Sequence, residues 1–174
     1  QSEDENWTTS ITGTSPDFFG IRTWAAEEGA LLQQADVDAG AKAAVVGRTV
    51  VDNLYGRGAR PVGRMMRIKG VPFVIVGVLE KKGQSAMGSD NDDAVFVPYT
   101  AYLSKIQAAA LGNFVPGAIM VGARTEAELD RTQQRITSLL RDRHHIASGA
   151  DDDFSIRNLT EMAGAVESGA AALT

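Results

Sequence analysis

Cysteine is missing from the 174 residues, and histidine occurs only at His144 and His145. The first absence excludes disulfides and thiolate zinc sites, and it fits an oxidising compartment. No apolar run approaches the roughly 20 residues that a membrane-spanning helix needs. Residues 1–6 are polar and acidic, without the apolar stretch of a signal peptide. Positive charge is also scarce: 17 Lys and Arg stand against 22 Asp and Glu, a net charge of -5. A nucleic-acid partner would need clustered cations to displace counterions from phosphate, and a polybasic membrane surface would need the same. Neither is expected.

Motifs that carry chemistry are absent as well. No stretch supplies the G-x-x-x-x-G-K-[ST] loop that cradles nucleotide phosphates. Gly56, Gly58 and Gly63 follow an expected helix rather than a strand, so they read as a helix stop and turn and not as a dinucleotide loop. Around Ser15, the order Gly13-Thr14-Ser15-Pro16 lacks the second glycine of a nucleophile elbow, and Ser15 reads as a helix cap. Adjacent His144 and His145 point apart on a helix end and lack zinc spacing. With Asp151, Asp152 and Asp153 they read as a solvated terminus. Asp90, Asn91, Asp92 and Asp93 are not followed by the glycine and bidentate glutamate of a calcium loop. No catalytic residue, cofactor or metal ligand is therefore assigned.

What remains is an ordinary folding composition, 44% apolar and 22% charged, in a chain long enough to bury a core. Alternation predicts strands over 7–13, 43–46, 64–69, 71–79, 94–97, 118–121 and 154–157. A tight turn at Lys69-Gly70 joins the third and fourth. Residues 24–35 are ambiguous. Helices are expected just after Ser15-Pro16, over 48–55, over 99–106 and over 125–143, with a last one after Asn158 that runs into alanine and glycine. The longest has an apolar stripe of Leu129, Ile136, Leu139 and Leu140, a Thr125/Glu128 capping box, and Arg141 and Arg143 at its end. Its flanking strands imply a right-handed βαβ unit. The expected fold is α+β in two lobes. Residues 36–112 form a β-rich inserted lobe. Residues 1–35 and 113–174 together form an α/β lobe that is incomplete at its N-terminus.

Four segments resemble one family. Gly13-Thr14-Ser15-Pro16-Asp17-Phe18-Phe19 followed by Arg22 is similar to the "GTSPDYF…R" segment of MacB-like periplasmic core domains of ABC transporter permeases. Ala44-Val45-Val46-Gly47-Arg48-Thr49-Val50, leading to Leu54-Tyr55-Gly56, resembles "VxVLGxxVAxxLFG". Pro61-Val62-Gly63 with Ile68 and residues 70–79 resembles "PVGxxIRIxGxPFTVVGVL". Asp92-Asp93-Ala94-Val95-Phe96-Val97-Pro98-Tyr99 resembles "DDxVxVPxxT". The resemblance covers about residues 7–158. It implies a bacterial membrane protein whose extracytoplasmic (periplasmic) domain lies between two transmembrane helices. The inserted lobe would be the family's sabre-like subdomain and the flanks its porter-like one. It also implies a second permease protomer, a cytoplasmic ATPase domain acting through the membrane part, and in some members a periplasmic adaptor protein. The domain would have no enzyme activity of its own; it would transmit ATP-driven motion for efflux or related export. Two alternatives are a stand-alone periplasmic ligand- or peptide-binding module, which requires a closed apolar pocket, and a hydrolase, which requires a buried titratable cluster.

One loop stands out as a contact surface. Residues 82–93 are polar and interrupted by glycine, and loops held on a strand pair are common recognition sites. The expected partner-binding residues are Gln84, Ser85, Ala86 and Met87 at its middle, where an adaptable methionine suits a protein surface.

Overall fold

The computed structural model describes residues 5–85, 88–107 and 117–159. The chain divides into two compact units, 1–121 and 122–174.

The first unit is built on a mixed six-stranded sheet. Its strands are β1 (Ser10–Thr14), β2 (Ala26–Gly29), β3 (Ala43–Val46), β4 (Met65–Ile68), β5 (Val71–Leu79) and β6 (Ala94–Pro98). Their order is β1-β6-β3-β5-β2, with β4 also paired to β5. β1 runs parallel to β6 and β3 parallel to β5; the β3–β6, β2–β5 and β4–β5 pairs are antiparallel. The α+β class expected from sequence is the class observed.

β3 is short, AAVV, and all four residues are buried. A strand flanked on both edges and covered on both faces reads as a continuous apolar run rather than an alternating one. Ala44 and Val46 face one apolar cluster, which contains Val50, Val51 and Leu54 of α3 (Arg48–Tyr55) together with Phe73, Ile75 and Val95. Ala43 and Val45 face the other, made of Phe19, Trp24, Leu32, Leu79, Ala94 and Phe96. Phe19 comes from the short helix α1 (Asp17–Ile21) and Leu32 from just before α2 (Gln34–Ala39). Phe96 meets the rings of Phe18, Phe19 and Trp24 at centroid distances of 5.1, 5.6 and 5.5 Å.

The hairpin forms as the sequence predicts. Lys69 (φ 47°) and Gly70 (φ 82°) both have positive φ, the requirement of a two-residue turn that matches strand twist. Farther along, β5 bulges: Ala44 pairs with Ile75 but Val45 with Gly77. The extra residue switches which cluster the β5 side chains face, so Ile75 and Val78 point to the same side. Glycine is required at this bulge, because a Cβ on Gly77 would lie 2.1 Å from the Ala30 carbonyl oxygen.

Several expectations need correction. The ambiguous stretch 24–35 supplies the edge strand β2, and α2 follows it. Residues 1–35 were expected on the flanking lobe, yet β1 and β2 lie in the same sheet as 36–112, and the boundary between compact units falls at 121/122. The reason is pairing: β6 has an open edge, and β1 fills it in parallel, a non-local contact that carries no local sequence signal. α1 starts at Asp17 with no side-chain cap bond, so Ser15 contributes only its carbonyl, 3.3 Å from Phe18 N. After α4 (Tyr99–Ala101) the expected helix widens into a π turn over Tyr102–Ile106.

The second unit contains α5 (Leu129–Arg143), preceded by a 3-10 turn over Glu126–Glu128. The Thr125/Glu128 capping box is not formed: neither helix start has a side-chain cap bond. No α5 residue is buried, and Leu139 of the expected stripe is 54% exposed. Segments 118–121 and 154–157 form no strand pairing, so the βαβ unit is absent among the described residues. Ile119 is 87% exposed. A strand-prone sequence becomes a strand only when a ladder partner accepts its backbone groups. The expected last helix lies outside the described residues.

Candidate functional site

The loop between β5 and β6 is built from a buried carboxylate outward. Asp92 is the one buried polar or charged residue of the described chain, 5% exposed. Its side chain accepts backbone N–H bonds from Lys82 (2.8 Å) and Gly83 (3.0 Å). Its own N–H donates to Asp90 Oδ1 (2.8 Å), while Asp90 Oδ2 accepts from Thr49 Oγ1 (2.7 Å) on α3. The Asp92 carbonyl accepts the Thr49 N–H at 3.2 Å. Gly47 must be glycine for this fit, since a Cβ there would sit 2.1 Å from that carbonyl oxygen.

Both legs of the loop are fastened to the segments that lead into β2 and β1. On the β5 side, Trp24 Nε1 donates to the Glu80 carbonyl at 2.7 Å. Lys82 Nζ donates to the Arg22 carbonyl at 2.6 Å and lies 5.5 Å from the centre of the Trp24 ring. On the β6 side, Trp7 Nε1 donates to Asp93 Oδ1 (2.8 Å), and Thr9 and Ser10 hydroxyls donate to the Asp93 carbonyl.

Beyond this base the loop continues as a small antiparallel ladder. Asn91 N donates to Gly83 O (3.1 Å), Gln84 is bridged to Asp90, and Ser85 N donates to Ser89 O (2.7 Å). Ser85 Oγ accepts the Ser89 N–H. The loop is thus a short hairpin on a clamped base, where composition alone predicts a mobile connection. Of the four expected partner-binding residues, Gln84 and Ser85 sit on this ladder. Ala86 and Met87 lie outside the described residues.

The other candidates resolve into structural roles. His144 Nδ1 lies 2.7 Å from Asp153 Oδ1, and its ring meets Phe154 edge-on. Arg141 pairs with Asp152 and donates to the carbonyls of Ala147 and Ala150. These contacts strap the segment after α5 onto the helix end. No group of three or more metal-ligating side chains occurs among the described residues. Sequence reasoning missed Asp92, which it read only as one of a run of acidic residues that does not make a calcium loop. The available signal was its position at the start of β6, opposite the Gly47 that opens α3.

Three comparisons bear on this arrangement. The family model described as MacB-like periplasmic core domain matches residues 1–139. Among curated proteins, the chain is 30% identical to a macrolide export ATP-binding/permease protein MacB of Syntrophobacter fumaroxidans, with 97% of this chain covered. It is 32% identical to a MacB of Rhodospirillum rubrum (95% covered) and 32% identical to a pyoverdine export ATP-binding/permease protein PvdT of Pseudomonas entomophila (85% covered). The chain spans 30%, 24% and 21% of those proteins' lengths. Among solved structures, the periplasmic region of MacB from Actinobacillus actinomycetemcomitans superposes with a TM-score of 0.69 at 19% identity, over 96% of this chain and 70% of that one. The extracellular domain of the ABC-type transporter YknZ from Gram-positive bacteria gives 0.67 at 15% identity, over 91% and 74%. Both share the fold.

Proposed function

The chain belongs to the MacB-like periplasmic core domain family, and from that premise we propose that it is the non-catalytic, periplasmic-side domain of an ABC transporter permease that relays ATP-driven motion to a periplasmic partner. The match over residues 1–139 carries this reading. No helix among the described residues is long and apolar enough to cross a membrane. The membrane helices and the ATPase are assigned to other parts of the transporter, and the export function follows that of the MacB and PvdT relatives.

Contact with the partner, either a second permease protomer or a periplasmic adaptor, is assigned to the loop tip at Gln84, Ser85, Ala86 and Met87. A relay needs a stiff element between the moving part and the contact. The ladder above Asp92, fastened at Trp24 and at Trp7, meets that need. The test is a tip-less transporter in which Ala86-Met87-Gly88 is replaced by Asn-Gly and Gln84 and Ser85 by alanine. The Asp92 clamp stays intact, so the melting temperature of the domain should remain nearly unchanged. Co-purification of the partner, or resistance to an exported compound, should fall. Normal expression with unaltered partner binding and resistance would reject the assignment.

A further inference from the structure

A groove of about 700 Å³ is lined by residues of β2 and α3 and reaches Lys81, beside the base of the β5–β6 loop. Glu27 and Glu28 of β2 form one wall. Arg48 and Asp52 of α3 and the following loop, with Arg57 and Arg60, form the other; Lys81 completes the lining. Four cations thus face three carboxylates, in a chain whose overall charge is -5. Two of the cations are already neutralised within the groove: Arg48 Nη2 lies 2.6 Å from Glu27, and Arg60 Nε lies 3.1 Å from Glu28. Arg57 and Lys81 are exposed and have no ion pair among the described residues. Asp52 leaves one carboxylate against them, so the groove retains a positive surplus.

The backbone adds a second feature. β2 takes β5 as its only sheet neighbour among the described residues, which leaves its other edge without a strand. An unpaired edge is a template on which an extended chain adds a strand, with main-chain hydrogen bonds giving affinity and side-chain contacts giving selectivity. The lining contains no aromatic or large aliphatic side chain. An apolar small molecule would therefore gain little by entering.

We propose that this groove binds an extended, carboxylate-bearing peptide segment of a partner protein, laid along the free edge of β2 with its acidic side chains on Arg57 and Lys81. The proposal does not rest on the tip contact: a peptide assay reads the groove alone, and the tip-less variant leaves every groove residue in place. General electrostatics oppose the binding, because the whole chain is acidic and repels an acidic ligand. Any affinity therefore reports local recognition.

The probe is a fluorescein-labelled peptide of roughly ten residues, alternating threonine and glutamate and long enough to span a strand. Its anisotropy is titrated with the 174-residue chain at low ionic strength. Saturable binding is expected. The double variant Arg57→Ala/Lys81→Ala should weaken it about tenfold, the scale of two solvent-exposed ion pairs acting together. The charge-reversed Arg57→Glu/Lys81→Glu should transfer the preference to a threonine–lysine peptide, which keeps the test decisive if the alanine variant merely loosens the loop. N-methylating every peptide nitrogen removes all of the peptide's N–H donors, on whichever side they point, and should abolish binding. Failure of the threonine–glutamate peptide to bind, equal binding by the double variant, no transfer of preference on charge reversal, or undiminished binding of the N-methylated peptide would each overturn the proposal.

Discussion

Replacing Asp92 with alanine removes the acceptor on which the β5–β6 loop is built. Two backbone N–H groups, of Lys82 and Gly83, lose partners at 2.8 and 3.0 Å. A hydrogen bond to a charged acceptor contributes about 1.5–3 kcal/mol. Lys82 and Gly83 are exposed, so water replaces part of each lost bond and the lower figure applies. The variant also no longer pays the desolvation cost of a carboxylate that is 5% exposed. Together these place Asp92→Ala at about 2–3 kcal/mol of destabilisation. For a unit of this size that lowers the melting temperature by about 8–12 °C. Asp92→Asn keeps the shape and one good acceptor, and should lose about half as much. Thermal melts followed by circular dichroism, with urea titrations alongside, measure both. Asp93→Ala is the control: its side chain accepts one exposed bond, from Trp7, and should cost under about 1 kcal/mol. An Asp92→Ala variant that melts within about a degree of the parent would refute the clamp. So would one matched by Asp93→Ala.

Gly47→Ala should destabilise more than Asp92→Ala, because its Cβ would fall 2.1 Å from a backbone oxygen that cannot move alone; urea unfolding measures it, and parent-like stability would show that the contact is not tight. Phe96→Ala should cost about 3–5 kcal/mol, since the ring is buried against Phe18, Phe19 and Trp24; the same titration checks it. ATP should produce no saturable heat in calorimetry with this chain, which has no phosphate-cradling loop.

The parts of this fold that were legible in the sequence are those whose causes are local. The β4–β5 hairpin follows from one turn at Lys69-Gly70 between apolar runs. α3 follows from the spacing of Val50, Val51 and Leu54 between two glycines. The four motif segments are likewise largely explained by packing. Gly47 and Gly77 are fixed by close backbone approaches, and Gly13 by the Tyr102 side chain, 2.6 Å from where its Cβ would be. Non-local causes were not legible. β1 takes its place from the open edge of β6, and nothing in residues 10–14 announces a parallel partner more than 80 residues away. Residues 118–121 have strand composition but pair with no strand among the described residues. Asp92 reads as one acid among several, and only the convergence of two backbone N–H groups distinguishes it from Asp93. The positions of Gln84 and Ser85 in a polar loop were evident from composition; the clamped ladder beneath them was not.

The most direct measurement of the central claim is site-specific crosslinking in the intact transporter. A photoreactive residue is placed at Ser85 on the tip and, as the control, at Lys69 at the opposite end of the nine-residue strand β5, about 30 Å away. The account predicts an adduct from position 85 to a periplasmic protein or to the second permease copy, with a yield that changes when ATP hydrolysis is blocked. It predicts no such dependence from position 69. Equal, ATP-insensitive yields at the two positions, or no adduct at position 85 in a transporter that still exports, would contradict it.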